Sequence, residues 1–362
     1  MTRRFLIWYW SGGGGAVFAV NLAHHLNARF GECATLSLRA GEGIAARAEA
    51  LNVATLAADI VSDRKRPFET AAGLAAGAAI LAKHIQLARA DAVIVPMNFA
   101  AAAPLSATVK LPLIYCAHDP APHPGDYAAR LQVLTQSVLL QRANIVVALS
   151  QYSANALRGA RRKLRVAPLL SVFPPRTSKA AQRRETVELL FAGRMIAYKG
   201  IDMLAGALAD IADRHDWRVT IAGEGPALSE AAMAQFKWPQ VTEVRPGWMS
   251  DEELNALISN HDVLLAPYTS ATQSGVVAEA LVAGRPVVAT PVGALSEQLA
   301  GGEAGWIADA ATPEAYARAL QSMLQVEPDA FAAKAERARA LSDEAWRSGA
   351  WDWLQTDRLG AT

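Results

Sequence analysis

Five short segments of this chain, each following an apolar run and four of them containing glycine, carry the side chains best suited to chemistry. The first is Ser11-Gly12-Gly13-Gly14-Gly15. Glycines let the backbone approach a ligand, and the helix expected after them offers free N–H groups to an anion. The second is His118-Asp119, ending an apolar run and followed by Pro120, Pro122, His123, Pro124 and Gly125. The prolines stiffen that loop, and a histidine held there could donate a hydrogen bond or a proton. The third is Gly193-Arg194 with Tyr198-Lys199-Gly200. A planar cation, a mobile cation and a helix N-terminus together suit a diphosphate. The fourth is Gly223-Glu224-Gly225-Pro226. The fifth runs from Pro267 through Gln273-Ser274-Gly275 to Glu279, whose carboxylate could accept hydrogen bonds from sugar hydroxyls.

Blander readings exist for each. The glycines fit tight strand–helix turns, Arg194 and Lys199 fit solvated surface cations, and a His–Asp pair is commonly structural. A dinucleotide fold would want G-x-G-x-x-G and an acidic residue ending the second strand. Position 17 is Val17 and that strand ends Leu38-Arg39, which argues against a nicotinamide cofactor. His118 and His123 have no third ligand nearby, so no metal site is expected.

These segments need elements to position them. Apolar runs at residues 4–10, 34–38, 92–96, 113–117 and 145–149 predict one series of strands. Runs at 188–192, 217–222, 263–266 and 287–289 predict a second. Runs without alternation suit strands buried on both faces of a parallel sheet. Between them the period is helical: Phe18, Leu22, Leu26 and Phe30 recur every fourth residue. Strand–helix alternation predicts a doubly wound α/β architecture. The series breaks where Pro174-Pro175 and a polar stretch mark a linker at 171–186. Two domains follow, 1–170 and 187–342. Ligands in such sheets bind at the carboxyl ends of strands, so the loops of both sheets could share a cleft. The tail 343–362 holds Trp346, Trp351 and Trp353, and indoles so dense seldom stay in water. It is expected to pack as a helix across the first domain.

Bulk composition narrows the function. Of 362 residues, 52% are hydrophobic and 19% charged, so large cores can form. The 35 basic and 34 acidic side chains nearly cancel, which argues against a nucleic-acid binder. Cys33 and Cys116 are too few for a disulfide framework or a four-ligand zinc site, and they suit a reducing cytosol. No targeting segment is evident. The uncharged stretch 92–109 is broken by Pro96, Asn98 and Pro104 and does not read as a membrane span. Arg158, Arg161, Arg162, Lys163 and Arg165 form a basic run that reads as a solvated helix face, with contact to anionic lipid as the alternative.

At these residues the sequence resembles the retaining GT-B glycosyltransferases of the family 4 type. The resemblance rests on residues 189–297: Gly193-Arg194, Lys199-Gly200, Gly223 to Pro226, Gly247, Pro267, Glu279-Ala280, the stretch from Gly284 to Thr290, and Gly293 with Glu297. The first half matches through Gly12 to Gly15 and His118-Asp119 alone. The sparse cysteines suit a cytoplasmic location, with peripheral contact at the membrane's inner face as the alternative that the basic run offers. The resemblance implies an enzyme with two Rossmann-like domains. Such an enzyme moves a hexose-like sugar from a UDP- or GDP-sugar to a glycan or lipid-linked acceptor, with retention and without a metal. It implies that Arg194 and Lys199, beside Gly193, hold the diphosphate and that Glu279 binds the ribose. Gly223 and Gly225 would border the base. His118 would touch the donor sugar, and Gly13, Gly14 and Gly15 would face the acceptor or the phosphates. The family usually carries paired glutamates with seven residues between them. The first would stand at 271, where this chain has Ala271, and Gln273, Ser274 and the Gly275 backbone would serve the sugar instead. That departure keeps one rival alive, an inactive sugar-nucleotide-binding protein; a second rival is another enzyme on a similar two-domain fold, such as a sugar-nucleotide epimerase.

Overall fold

The computed structural model describes residues 2–40, 43–59, 71–121, 129–157, 159, 163–171 and 179–359. Of the residues named above, Pro122, His123, Pro124, Gly125, Arg158, Arg161, Arg162, Pro174 and Pro175 lie outside that set. The chain divides into two compact units, one built up to Leu170 and again from Ser348, the other from Ser171 to Arg347.

The first unit holds β1 (Phe5–Tyr9), β2 (Ala34–Arg39), β3 (Thr55–Ala58), β4 (Ala92–Val95), β5 (Leu113–Ala117), β6 (Ile145–Ala148) and β7 (Lys163–Val166). They pair in the order β3-β2-β1-β4-β5-β6-β7, every pair parallel. The second unit holds β8 (Val187–Ala192), β9 (Trp217–Gly223), β10 (Val241–Pro246), β11 (Val263–Ala266), β12 (Val287–Ala289) and β13 (Gly305–Ile307). Their order is β10-β9-β8-β11-β12-β13, again parallel throughout. This is the doubly wound α/β architecture that the alternation predicts, once in each unit. Inner strands such as β1 and β5 are buried along their whole length, as parallel strands covered by helices must be. Each buried Leu, Ile or Val there contributes roughly 1.5–3 kcal/mol.

Helix Gly14–Phe30 buries Phe18, Leu22 and Leu26, three of the four residues whose period predicts it. In the second unit the phenol of fully buried Tyr316 accepts from the Ala266 N–H at 3.1 Å and donates to the Val288 carbonyl at 2.8 Å. It thereby satisfies backbone groups of β11 and β12 that would otherwise be costly to bury.

Three expectations differ from the structure. Lys163 and Arg165 lie on an edge strand, not a helix face, and both pair with Asp357 at 2.8 and 2.5 Å. An acidic partner nearly two hundred residues away is invisible to a local reading of charge. Within the expected linker, residues 179–186 are tied to the second unit: Ala181 N–H donates to the Gly284 carbonyl at 3.0 Å, and buried Arg285 donates to the Lys179 carbonyl at 3.2 Å. The tail is not one helix either. Residues 343–347 finish helix Pro328–Arg347, Ser348 interrupts the helical run, and a turn Gly349–Trp351 and short helix Trp353–Thr356 follow. Trp346 therefore belongs to the second unit, while Trp351 and Trp353 pack in the first, ring centroids 6.5 Å apart.

Candidate functional site

In an open parallel sheet the crevice opens where neighbouring strands run their connections in opposite directions, outside the carboxyl ends. In the second unit that point lies between β8 and β11. The loop after β8 begins Gly193-Arg194, and the loop after β11 runs from Pro267 to Ser274. The third and fifth candidate segments therefore meet at the place where such a sheet binds ligands.

The loops interlock through their backbones. Gly223, ending β9, carries φ +153°, and a Cβ there would lie 1.8 Å from the Gly193 carbonyl oxygen. Beyond it, Met195 N–H donates to the Glu224 carbonyl at 2.8 Å, and Gly225 packs against the Met195 carbonyl. A short 3-10 turn, Ala197–Lys199, then leads to Gly200, whose left-handed φ of +76° caps helix Ile201–Ala209. A Cβ at Gly200 would lie 1.8 Å from the Pro267 carbonyl oxygen, so only glycine lets these two loops touch. Thr269 N–H completes the seam by donating to the Tyr198 carbonyl at 2.8 Å.

The two cations sit differently. Arg194 is exposed to solvent, whereas Lys199 is buried, and its Nζ lies 3.8 Å from the Tyr268 ring centroid. The Tyr268 ring offers its negative face to the ammonium. Burial pushes the Tyr268 phenol up to about 12, so the hydroxyl keeps its proton at neutral pH. That hydroxyl lies 3.1 Å from Ser274 Oγ. Ser274 in turn caps helix Gly275–Val282, its Oγ accepting from the Val277 N–H. Gln298 brackets the Ser274 backbone, accepting from its N–H at 2.9 Å and donating to its carbonyl at 3.2 Å. Gly275 itself is exposed, Gln273 is buried, and Glu279 is buried one turn into the helix. Gly193 faces Val276 on the same turn.

Ala271 is buried, and its carbonyl packs onto Gly293: a Cβ at 293 would lie 1.6 Å from that oxygen. The backbone of the strap from 271 to 274 is thus tied to Gly293, to the Ala294 N–H and to the Gln298 side chain. Tyr268 and Gln298 are the two site residues that sequence reading missed. Tyr268 had a signal, since it follows the proline that closes β11. Gln298 had none, because its partner is 24 residues away.

In the first unit the equivalent turning point lies between β1 and β4. Gly12, Gly13 and Gly14 are exposed there, and Gly15 is buried against Tyr9 and Met97. His118 follows β5, half-buried, with Nδ1 3.2 Å from an Asp119 carboxylate oxygen. Gln136 fixes the next residue by donating to the Pro120 carbonyl at 3.1 Å. Among the described residues no group of three or more His, Cys, Asp or Glu gathers, and no helix is long and apolar enough to cross a membrane.

Two parallel α/β sheets, each offering glycine loops at its carboxyl ends, define the GT-B class. Residues 12–169 match the family model described as Glycosyltransferase Family 4, and residues 186–326 match that described as Glycosyl transferases group 1. The chain belongs to these GT-B glycosyltransferases of the family 4 type. It is 31% identical over 200 residues to D-inositol 3-phosphate glycosyltransferase of Pseudarthrobacter chlorophenolicus, a stretch covering 52% of this chain and 46% of that protein. It therefore spans about half the length of the curated relatives it matches. Among solved structures, Anabaena HepE in complex with UDP-glucose superposes with a TM-score of 0.71 at 18% identity, covering 98% of this chain and 99% of that one. Sucrose-phosphate synthase of Thermosynechococcus elongatus gives 0.71 at 15% identity, with 98% of each chain covered.

Proposed function

We propose that this chain is a retaining glycosyltransferase that moves a hexose-like sugar from a UDP- or GDP-sugar to a glycan or lipid-linked acceptor in the cytoplasm. The observation that carries the reading is the placement of Lys199: buried, next to the Gly200 cap of helix Ile201–Ala209, and held over Tyr268, whose hydroxyl meets the Ser274 cap of helix Gly275–Val282. Helix N-termini favour anions through their free N–H groups and dipoles. Arg194 and Lys199 bind the donor diphosphate there, and Glu279 binds the ribose. As the glycosidic bond breaks, the diphosphate gains negative charge, and cations already in place stabilise it without reorganising. These two side chains neutralise the leaving group, and the reaction needs no metal ion. The acceptor attacks from the face that the diphosphate leaves, which retains the configuration.

A screen of UDP- and GDP-sugars by thermal shift tests donor binding, because a ligand that binds only the folded state raises its melting temperature. Release of UDP or GDP that requires an added acceptor tests transfer. The short buried side chain of Ala271 keeps a second reading in view, an inactive sugar-nucleotide binder; such a protein would be stabilised by the donor yet release no nucleotide under any condition. Conversion of the sugar without nucleotide release would point to an epimerase.

A further inference from the structure

Resting on the reading that Lys199 holds the donor diphosphate, we propose that Tyr268 is a positioning residue that joins Lys199 and the capped end of helix Gly275–Val282 into one rigid anion site. Its ring takes the ammonium and its hydroxyl takes the Ser274 cap.

The backbone around Tyr268 is pinned at three successive residues. Gly200 packs on the Pro267 carbonyl, Thr290 Oγ1 donates to the Tyr268 carbonyl at 2.6 Å, and Thr269 N–H donates to the Tyr198 carbonyl at 2.8 Å. The side chain is 1% exposed, so its ring has no room to swing. From that fixed ring, Lys199 Nζ lies 3.8 Å away on the face and Ser274 Oγ lies 3.1 Å from the hydroxyl. The negative face of the ring attracts the ammonium and so fixes where the charge sits. A lysine gripping an anion loses rotamer freedom, and one already held loses less on binding. A tyrosine that merely filled the core would not need its ring face under a cation or its hydroxyl on a helix cap.

The test is the calorimetric affinity of the full chain for UDP and for GDP in the wild type, Lys199→Ala, Tyr268→Met and the double variant. Methionine keeps the bulk and removes the ring. Each single change should weaken binding about tenfold or more, the scale of a desolvated cation–π contact. The double variant should bind within about threefold of Lys199→Ala, because both changes remove one shared contribution. Losses that multiply would mean that Tyr268 does not act through Lys199, and the inference would fall. Unchanged binding in Lys199→Ala, or no binding of either nucleotide by the wild type, would instead reject the diphosphate reading itself. In case Tyr268→Met does not fold, phenylalanine and progressively fluorinated phenylalanines at 268 drain the ring face at nearly constant shape. Affinity should fall stepwise along that series in the wild-type background and stay flat in Lys199→Ala. A flat series in both backgrounds overturns the proposal.

Discussion

Arg194 and Lys199 carry the same charge in opposite settings, one solvated and one buried against an aromatic ring. Their adjacency to glycine loops pointed to an anion site, but sequence could not say which of them is held in advance. Removing either should cost on the order of 10²–10³ in turnover, as for other preplaced charge-stabilising groups. Arg194→Lys should not rescue fully, since an ammonium cannot make the bidentate contact of a guanidinium. Steady-state kinetics with circular dichroism as the folding control checks both, and near-normal turnover in Arg194→Ala and Lys199→Ala would move the diphosphate elsewhere. Glu279→Ala should weaken UDP or GDP binding by about 1–3 kcal/mol, the scale of a hydrogen bond to a charged group. Calorimetry showing no change in a folded variant rejects the ribose role. His118→Ala should lower turnover far more than melting temperature. Loss of the fold would instead mark the His118–Asp119 pair as structural.

At the scale of elements, the strands that sequence reading missed are β3, β7, β10 and β13, and these are the two edges of each sheet. The reason is physical. An inner parallel strand is covered on both faces and reads as a continuous apolar run, whereas an edge strand is half-exposed and reads as mixed. Lys163–Val166 and Val241–Pro246 carry charge for that reason and look like loops. The glycines at strand ends were readable as turns, but the need for one specific glycine came only from contacts across the fold. Gly200→Ala should cost about 1–3 kcal/mol through its left-handed backbone, and more through the collision with Pro267. Ser274→Ala should cost about 1 kcal/mol of helix capping. Thermal melts measure both, and a Gly200→Ala variant as stable as the wild type would mean that the loops can part without penalty.

At the scale of the whole molecule, the C-terminal segment closes the first unit. Arg29 pairs with Asp352, Gln355 accepts from the Arg3 N–H at 2.8 Å and donates to the Arg3 carbonyl at 2.9 Å, and Trp351 is buried beside Phe18. Trp351→Ala should destabilise that unit by about 3–5 kcal/mol, the range for a deleted buried aromatic; a melting temperature within a degree or two of wild type would show that the segment is dispensable. Hydrogen bonds from Arg29 hold the Asp352 carboxyl below its ordinary range, and those from Lys163 and Arg165 do the same for Asp357. A depressed carboxylate contributes stability above its unfolded pKa, about 4, and loses it as pH falls through the folded value. These pairs are exposed, so the contribution is small, about 0–1 kcal/mol each. The melting difference between wild type and Asp352→Asn should therefore be present at pH 7 and vanish on acidification; a difference that persists below both pKa values would point to a neutral contact. The sequence alone determined the α/β class, the inner strands and the order of the glycine loops, because hydrophobic period and turn chemistry are local. Tertiary structure decided that Tyr268 holds Lys199, that Gln298 brackets Ser274, and that Asp357 answers the basic strand, because each partner lies far along the chain and only packing brings it near.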